Sequence, residues 1–172
     1  GLSSEKLSYA QRLLSHCSSE GRNILFTLKN SGCAAERLAQ ELRFRGEMAL
    51  YLQEVSFRLV TDLESPYGQL DPDSVYCVMA VYNELLNNVL KHSGARAVEA
   101  VLVHRGGRLT LSVWDDGKGF EYDPAAPGRG SYGFGLIGEI ARASGAVFDV
   151  FSSPGKGTLA MISLRPRLSP RR

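Results

Sequence analysis

Cysteine is scarce in this chain of 172 residues, which carries only Cys17, Cys33 and Cys77. They are far apart and form no Cys-x-x-Cys or Cys/His pattern. A disulfide framework and a structural zinc site are therefore excluded, and reduced thiols in a cytoplasmic setting are expected. No apolar run approaches eighteen residues, so no membrane contact is expected from these residues, and no signal sequence opens the chain. A net charge of only +2 gives no electrostatic footprint for nucleic acid. Much of that charge lies in Arg165–Arg172, which is expected to fray. Wholesale disorder is excluded too, because 44% hydrophobic and 22% charged residues are the values of a folded protein. The first residue is Gly, not Met, and this is expected of a piece cut from a longer protein, with any membrane anchor of the parent lying elsewhere.

What is present divides near residue 64. Leu7, Ala10, Leu14, Cys17, Gly21, Ile24 and Leu28 follow the alternating three and four spacing of a coiled-coil seam. Leu38, Leu42, Arg45, Ala49, Leu52, Ser56, Leu59 and Leu63 repeat it, which predicts a helical hairpin over 1–64 joined near Asn30-Ser-Gly32. Two such helices make a thin core, and a second copy would complete a four-helix bundle. Ser65–Asp73 holds two prolines and a glycine and reads as a linker. Asp71 is placed to cap the next helix, with Pro72 at its first position. Val75, Val78, Met79, Tyr82, Leu85, Leu86, Val89 and Leu90 form that helix's apolar face, and Ser93-Gly94 stops it.

Beyond Ala97 the period becomes two. Val98–Val103 and Leu109–Trp114 flank the hairpin turn Arg105-Gly-Gly-Arg108, and Val147–Phe151 and Leu159–Leu164 make a second strand pair. Between the pairs lie a Pro/Gly-bearing loop, Glu121–Tyr132, and a helix opened by Gly133-Phe-Gly135 and closed by Gly145. The fold class is α+β: the hairpin, then a sandwich over 65–168 with helices on one sheet face, and a tail over 169–172.

Glu84, Asn88, Lys91 and His92 share one helix stripe, offering a carboxylate, an amide oxygen and two donors. That set suits a phosphate chain and Mg2+, a hard ion that needs only one or two protein oxygens. Asp115 ends a strand where a carboxylate can accept from an exocyclic amine, and Gly117 and Gly119 let the backbone approach a flat ligand. Gly133 and Gly135 open a helix whose free N–H groups suit phosphate.

In their order, Asn83-Glu-Leu-Leu-Asn-Asn-Val-Leu-Lys-His92, Asp115-Asp-Gly-Lys-Gly119, Gly133-Phe-Gly-Leu136 and Gly155-Lys-Gly-Thr158 resemble the boxes of the GHKL (Bergerat) ATPase fold shared by gyrase, Hsp90, histidine kinases and MutL. The Lys-His ending of the first box is most similar to sensor histidine kinases that pair with LuxR-like response regulators. The resemblance implies ATP and Mg2+, with Glu84 as base, Asn88 as the metal ligand, and Lys91 and His92 near the phosphates. It implies Asp115 as acceptor of the adenine amine, Gly117 and Gly119 under the base, Gly133, Gly135 and Leu136 at the phosphates, and Thr158 beside the adenine. The loop Glu121–Tyr132 becomes a closing lid that carries Arg129. In that family a phosphoacceptor His is followed by an acid. The only counterpart here is His16, followed by Cys17.

The resemblance implies a histidine kinase core that dimerises through residues 1–64 and passes phosphate to a response regulator. Two other readings remain: a nucleotide-holding module that captures a partner without phosphorylating itself, and an anti-sigma-type Ser kinase, which would have no use for the hairpin.

Overall fold

The computed structural model describes residues 18, 21–24, 26, 33–64, 69–123 and 132–169. Residues 18, 21–24 and 26 are helical. His16, the lid segment 124–131 and the hairpin turn near Asn30 lie outside the described residues.

Helix α1 (Ala35–Tyr51) buries Leu38, Ala39, Leu42, Gly46 and Leu50 along one stripe. It ends in a turn where Gln53 N–H donates to Leu50 O at 3.1 Å and Glu54 takes a left-handed φ of 54°. The next residues are strand β1 (Ser56–Leu63). This corrects the expected second helix, which ran through Leu63. Phe57, Leu59 and Leu63 satisfy an alternation of two as well as a helical spacing, and the choice is made by parallel pairing with the strand β3 (Ala97–Arg105), from Ser56↔Ala97 to Leu63↔His104. The predicted hairpin thus gives up its C-terminal part to the sheet.

Helix α2 (Pro72–Asn88) starts as its sequence requires. Asp71 accepts from Ser74 N–H at 3.0 Å, and Pro72 opens the first turn. Its last turn widens into a π-turn (Val89–Ser93) closed by Gly94 at φ 63°. Strands β3 (Ala97–Arg105) and β4 (Arg108–Asp115) meet at Gly106 and Gly107, both with positive φ, as expected of a two-residue hairpin. Helix α3 (Tyr132–Ala143), β5 (Val147–Ser152) and β6 (Thr158–Leu164) follow.

The sheet order is β1-β3-β4-β6-β5, antiparallel except for β1 against β3. Alternate residues of the inner strands are buried: Val98, Ala100 and Leu102 on β3, Leu109, Leu111 and Val113 on β4, Ala160, Ile162 and Leu164 on β6. The helices lie against the sheet as a second layer, α1 on β1, α2 on β4 and β6, and α3 on α2 and β5. Tyr82, fully buried, donates its hydroxyl to Leu42 O at 2.9 Å and so ties α2 to α1.

A two-stranded ribbon, β2 (Gln69–Leu70) with β7 (Leu168–Ser169), has no counterpart in the sequence reading. It corrects the linker at 69–70 and the fraying tail as far as Ser169, while 65–68 and 170–172 lie outside the described residues. Asp71 accepts from Arg167 N–H at 2.7 Å while Asp71 N–H donates to Arg167 O at 3.1 Å, so the C-terminal segment is fastened through Ser169. Among the described residues no helix is long and apolar enough to cross a membrane.

Candidate nucleotide-binding site

Asp115 is the last residue of β4 and stands on its buried face, in line with Leu109, Leu111 and Val113. The register sets it between Val98 on β3 and Thr158 on β6. Its Oδ1 accepts from Gly117 N–H at 2.9 Å, which leaves Oδ2 for a ligand donor. Burial raises its pKa above the ordinary carboxylate value, and the Gly117 N–H pulls the other way. A desolvated carboxylate with a spare oxygen is a strong acceptor for an N–H donor.

The turn after Asp115 is locked into two others. Lys118 N–H donates to Ser93 O at 2.9 Å, joining it to the end of the π-turn that carries Lys91 and His92. Gly155 N–H donates to Lys118 O at 2.6 Å, joining it to the turn before β6. To the reason expected for Gly117 and Gly119, room for a flat ligand, the packing of the turns adds another. A Cβ on Gly117 would lie 2.5 Å from Ser93 O, one on Gly119 2.1 Å from Ser153 O, and one on Gly157 2.0 Å from Asp115 O. Glycine is required because backbone packs on backbone.

Sequence reasoning missed three residues here. Ser152 Oγ accepts from Phe120 N–H at 3.0 Å and donates to Gly157 O at 2.9 Å. Its proton thus committed, it receives that of Thr158, whose Oγ1 lies 3.1 Å away. Asp116, given no role from sequence, accepts at Oδ1 from Arg96 N–H at 2.8 Å and Ala97 N–H at 2.9 Å, tying β4 to the start of β3. Ser93 supplies the carbonyl already described, and its hydroxyl accepts from Ala95 N–H at 3.0 Å. The Asp-Asp-Gly run was a turn signal for Asp116, whereas the two serines had none.

On α2, Glu84 and Asn88 are half-buried, and Lys91 and His92 are exposed on the π-turn. Asn88 Nδ2 is buried with no hydrogen-bond partner among the described residues. An orphaned amide on this stripe fits a metal ligand once its carbonyl is turned toward the ion. No group of three or more His, Cys, Asp or Glu converges among the described residues. An Mg2+ ion bound by one protein oxygen, waters and phosphates needs none.

Gly133 and Gly135 fall in the first turn of α3, where N–H groups have no partner within the helix. Among the described residues nothing lies within 4 Å of a Cβ built on Gly135, so on their side this backbone is open to approach, and Leu136 behind it is half-buried. Phe134 stacks on Phe120 with ring centroids 5.5 Å apart and on Phe148 at 6.1 Å. Tyr122 packs edge-on to Phe120 at 6.0 Å, so both ends of the loop expected to be a lid meet in one aromatic cluster. Asp115, Gly117, Gly119 and Thr158 are thus brought together with the end of the π-turn. Among the described residues no hydrogen bond joins Glu84, Lys91, His92 or Leu136 to Asp115.

Residues 77–168 match the family described as Histidine kinase-, DNA gyrase B-, and HSP90-like ATPase. The chain belongs to this ATPase family. Within it, 78 residues are 40% identical to the sensor histidine kinase LiaS of Bacillus subtilis, covering 45% of this chain and 21% of that protein. A stretch of 158 residues is 27% identical to the sensor protein VraS of Staphylococcus saprophyticus, covering 90% of this chain and 43% of VraS. The chain therefore spans less than half the length of these relatives. The fold of this ATPase family member is similar to the histidine kinase domain of the Erythrobacter litoralis EL346 blue-light activated kinase. That likeness has a TM-score of 0.64 at 18% identity, over 87% of this chain and 74% of the other. The Acinetobacter baumannii histidine kinase AdeS gives 0.61 at 15% identity, over 94% and 82%.

Proposed function

We propose that this chain is the ATP-binding catalytic part of a sensor histidine kinase, placed in the cytoplasm. It takes the γ-phosphoryl group of ATP to a histidine for relay to a response regulator. The observation that carries this reading is the Asp115 carboxylate, buried at the end of β4 across from Thr158, with one oxygen left for the adenine amine. Kinship with LiaS and VraS supports the choice of a kinase over the other activities of the family.

In this reading the adenine amine donates to Asp115, and the free N–H groups at the start of α3 hold the phosphates, with Lys91 and His92 adding charge. Bound Mg2+, held through Asn88, would neutralise charge that develops on the phosphoryl oxygens. The acceptor imidazole nitrogen forms the new P–N bond as the bond to ADP breaks, and Glu84 takes the proton that the imidazole loses. Residues 1–32 are proposed to supply the dimer contact, with His16 as the candidate acceptor.

One feature favours a second reading, a nucleotide-holding module without autophosphorylation: Cys17 stands where an acid would assist His16. Incubation with γ-labelled ATP separates the two. The kinase reading expects an acid-labile label on the chain that disappears in His16→Gln and Glu84→Gln, while both variants still bind nucleotide. Nucleotide binding with neither label nor turnover would support the module instead.

A further inference from the structure

Asn83 precedes Glu84 on α2, and its side chain is bonded to the N-terminal helical segment. Its Nδ2 donates to Oδ1 of Asn23 at 2.7 Å. The same oxygen accepts from Nη1 of Arg45 on α1 at 2.7 Å, and Glu41 holds Nε of that guanidinium at 2.7 Å. Three helical segments therefore meet on one oxygen atom, one residue away from the proposed base.

Asn23 is fully buried, and its Nδ2 has no hydrogen-bond partner among the described residues. Packing alone does not select asparagine here, since leucine would fill a similar volume without a stranded donor. The amide cannot turn to relieve that donor, because Arg45 offers only N–H groups and must face the oxygen. What asparagine adds is a single acceptor that binds α1 and α2 to the N-terminal helix together.

We infer that Asn23 is a positioning residue: it ties the α2 turn bearing Glu84 to the N-terminal helix, so that displacing this helix changes turnover at the nucleotide site while leaving nucleotide affinity alone. Once Asn23 withdraws, the Asn83 amide and the Arg45 guanidinium lose their shared acceptor, and the turn they hold is freed to shift. The adenine end, built from Asp115, Thr158 and three interlocked turns, contains none of these residues. The activity half of this inference rests on the kinase reading, whereas the structural half does not.

The test uses the full chain and four variants, read by hydrogen exchange, by calorimetric titration with ADP, and by steady-state turnover. Asn23→Leu is expected to speed exchange across 83–93 by about tenfold while β3 and β4 keep theirs. It should leave the ADP Kd within about twofold and lower kcat about tenfold, which are the marks of a lost positioning contact. Arg45→Met should act in the same direction, and the double variant should add little. Asn23→Asp keeps the accepting oxygens and removes the stranded N–H, so it should behave as wild type. Unchanged exchange over 83–93 in Asn23→Leu overturns the inference, as does acceleration spread evenly over the sheet, or a kcat that stays at the wild-type value. If the wild-type chain binds ADP but turns nothing over, the kinase reading fails. Exchange confined to 83–93 then decides the junction by itself.

Discussion

Asp115 and Asp116 share a turn and have opposite electrostatics. Burial raises the pKa of Asp115, and backbone N–H groups of Ala97 and Arg96 lower that of Asp116. Replacing Asp115 by Ala removes a buried acceptor, which is expected to cost about 1–3 kcal/mol of nucleotide binding, or about one to two decades in Kd. Calorimetric titration reads this, with a circular dichroism spectrum as the control for folding, and an unchanged Kd would remove Asp115 from the site. Asp116 answers to pH. Its folded pKa lies below the unfolded value of about 3.9, so its contribution to stability is complete above that value and is lost as pH falls through the folded pKa. Asp116→Asn should therefore melt slightly below wild type at neutral pH, with the gap narrowing in acid. The effect is small because the carboxylate is exposed to solvent. A gap that stays constant in melting curves from neutral to acid pH would show that the charge contributes nothing.

At the scale of elements, two glycines of one turn give a matched comparison. Gly155 and Gly157 both have positive φ, 75° and 72°, but a Cβ on Gly155 meets none of the described residues within 4 Å and one on Gly157 meets Asp115 O at 2.0 Å. Gly155→Ala should cost only the left-handed backbone penalty, about 1–2 kcal/mol. Gly157→Ala should cost clearly more than that, because the β4 end must also move. Chemical denaturation of both variants checks this, and equal losses would contradict the packing of the two turns. Much of this level was legible in the sequence. The Asp71 cap, the Gly106-Gly107 turn, the Gly94 and Gly145 stops and the strand alternation from Val98 onward are all local signals that the chain states outright. What escaped was non-local. Residues 56–63 carry a pattern that suits helix or strand, and β3, forty residues on, decides between them. The ribbon of β2 and β7 is too short to leave a period at all. The candidate site followed the same rule: Asp115 and the glycines could be read from their order, whereas Ser93, Ser152 and Asn23 matter only through partners distant in sequence.

For the whole molecule, the position of β1 changes how oligomerisation must be tested. A fragment starting near Pro66 would delete α1 and β1 and expose the edge of β3, so its behaviour would say nothing about the N-terminal seam. A fragment from Cys33 keeps both, together with the bridge between Cys33 and Leu70. Light scattering should give a dimer for the full chain and a monomer for that fragment, and a monomeric full chain at high concentration would refute pairing through the N-terminal residues.

Strand β6 lies inside the sheet, between β4 and β5, although it is the last long strand in chain order. During synthesis on the ribosome, β4 therefore leaves the exit tunnel with one flank bare, and Asp115 lacks the neighbour that will shut it off from water. A chain stalled or cut before Thr158 would present an unpaired hydrophobic strand to chaperones and proteases, with the proposed adenine end of its pocket unbuilt. In the proposed reading, competence to hold nucleotide thus waits for β6, and a chain that stops short of that strand has none.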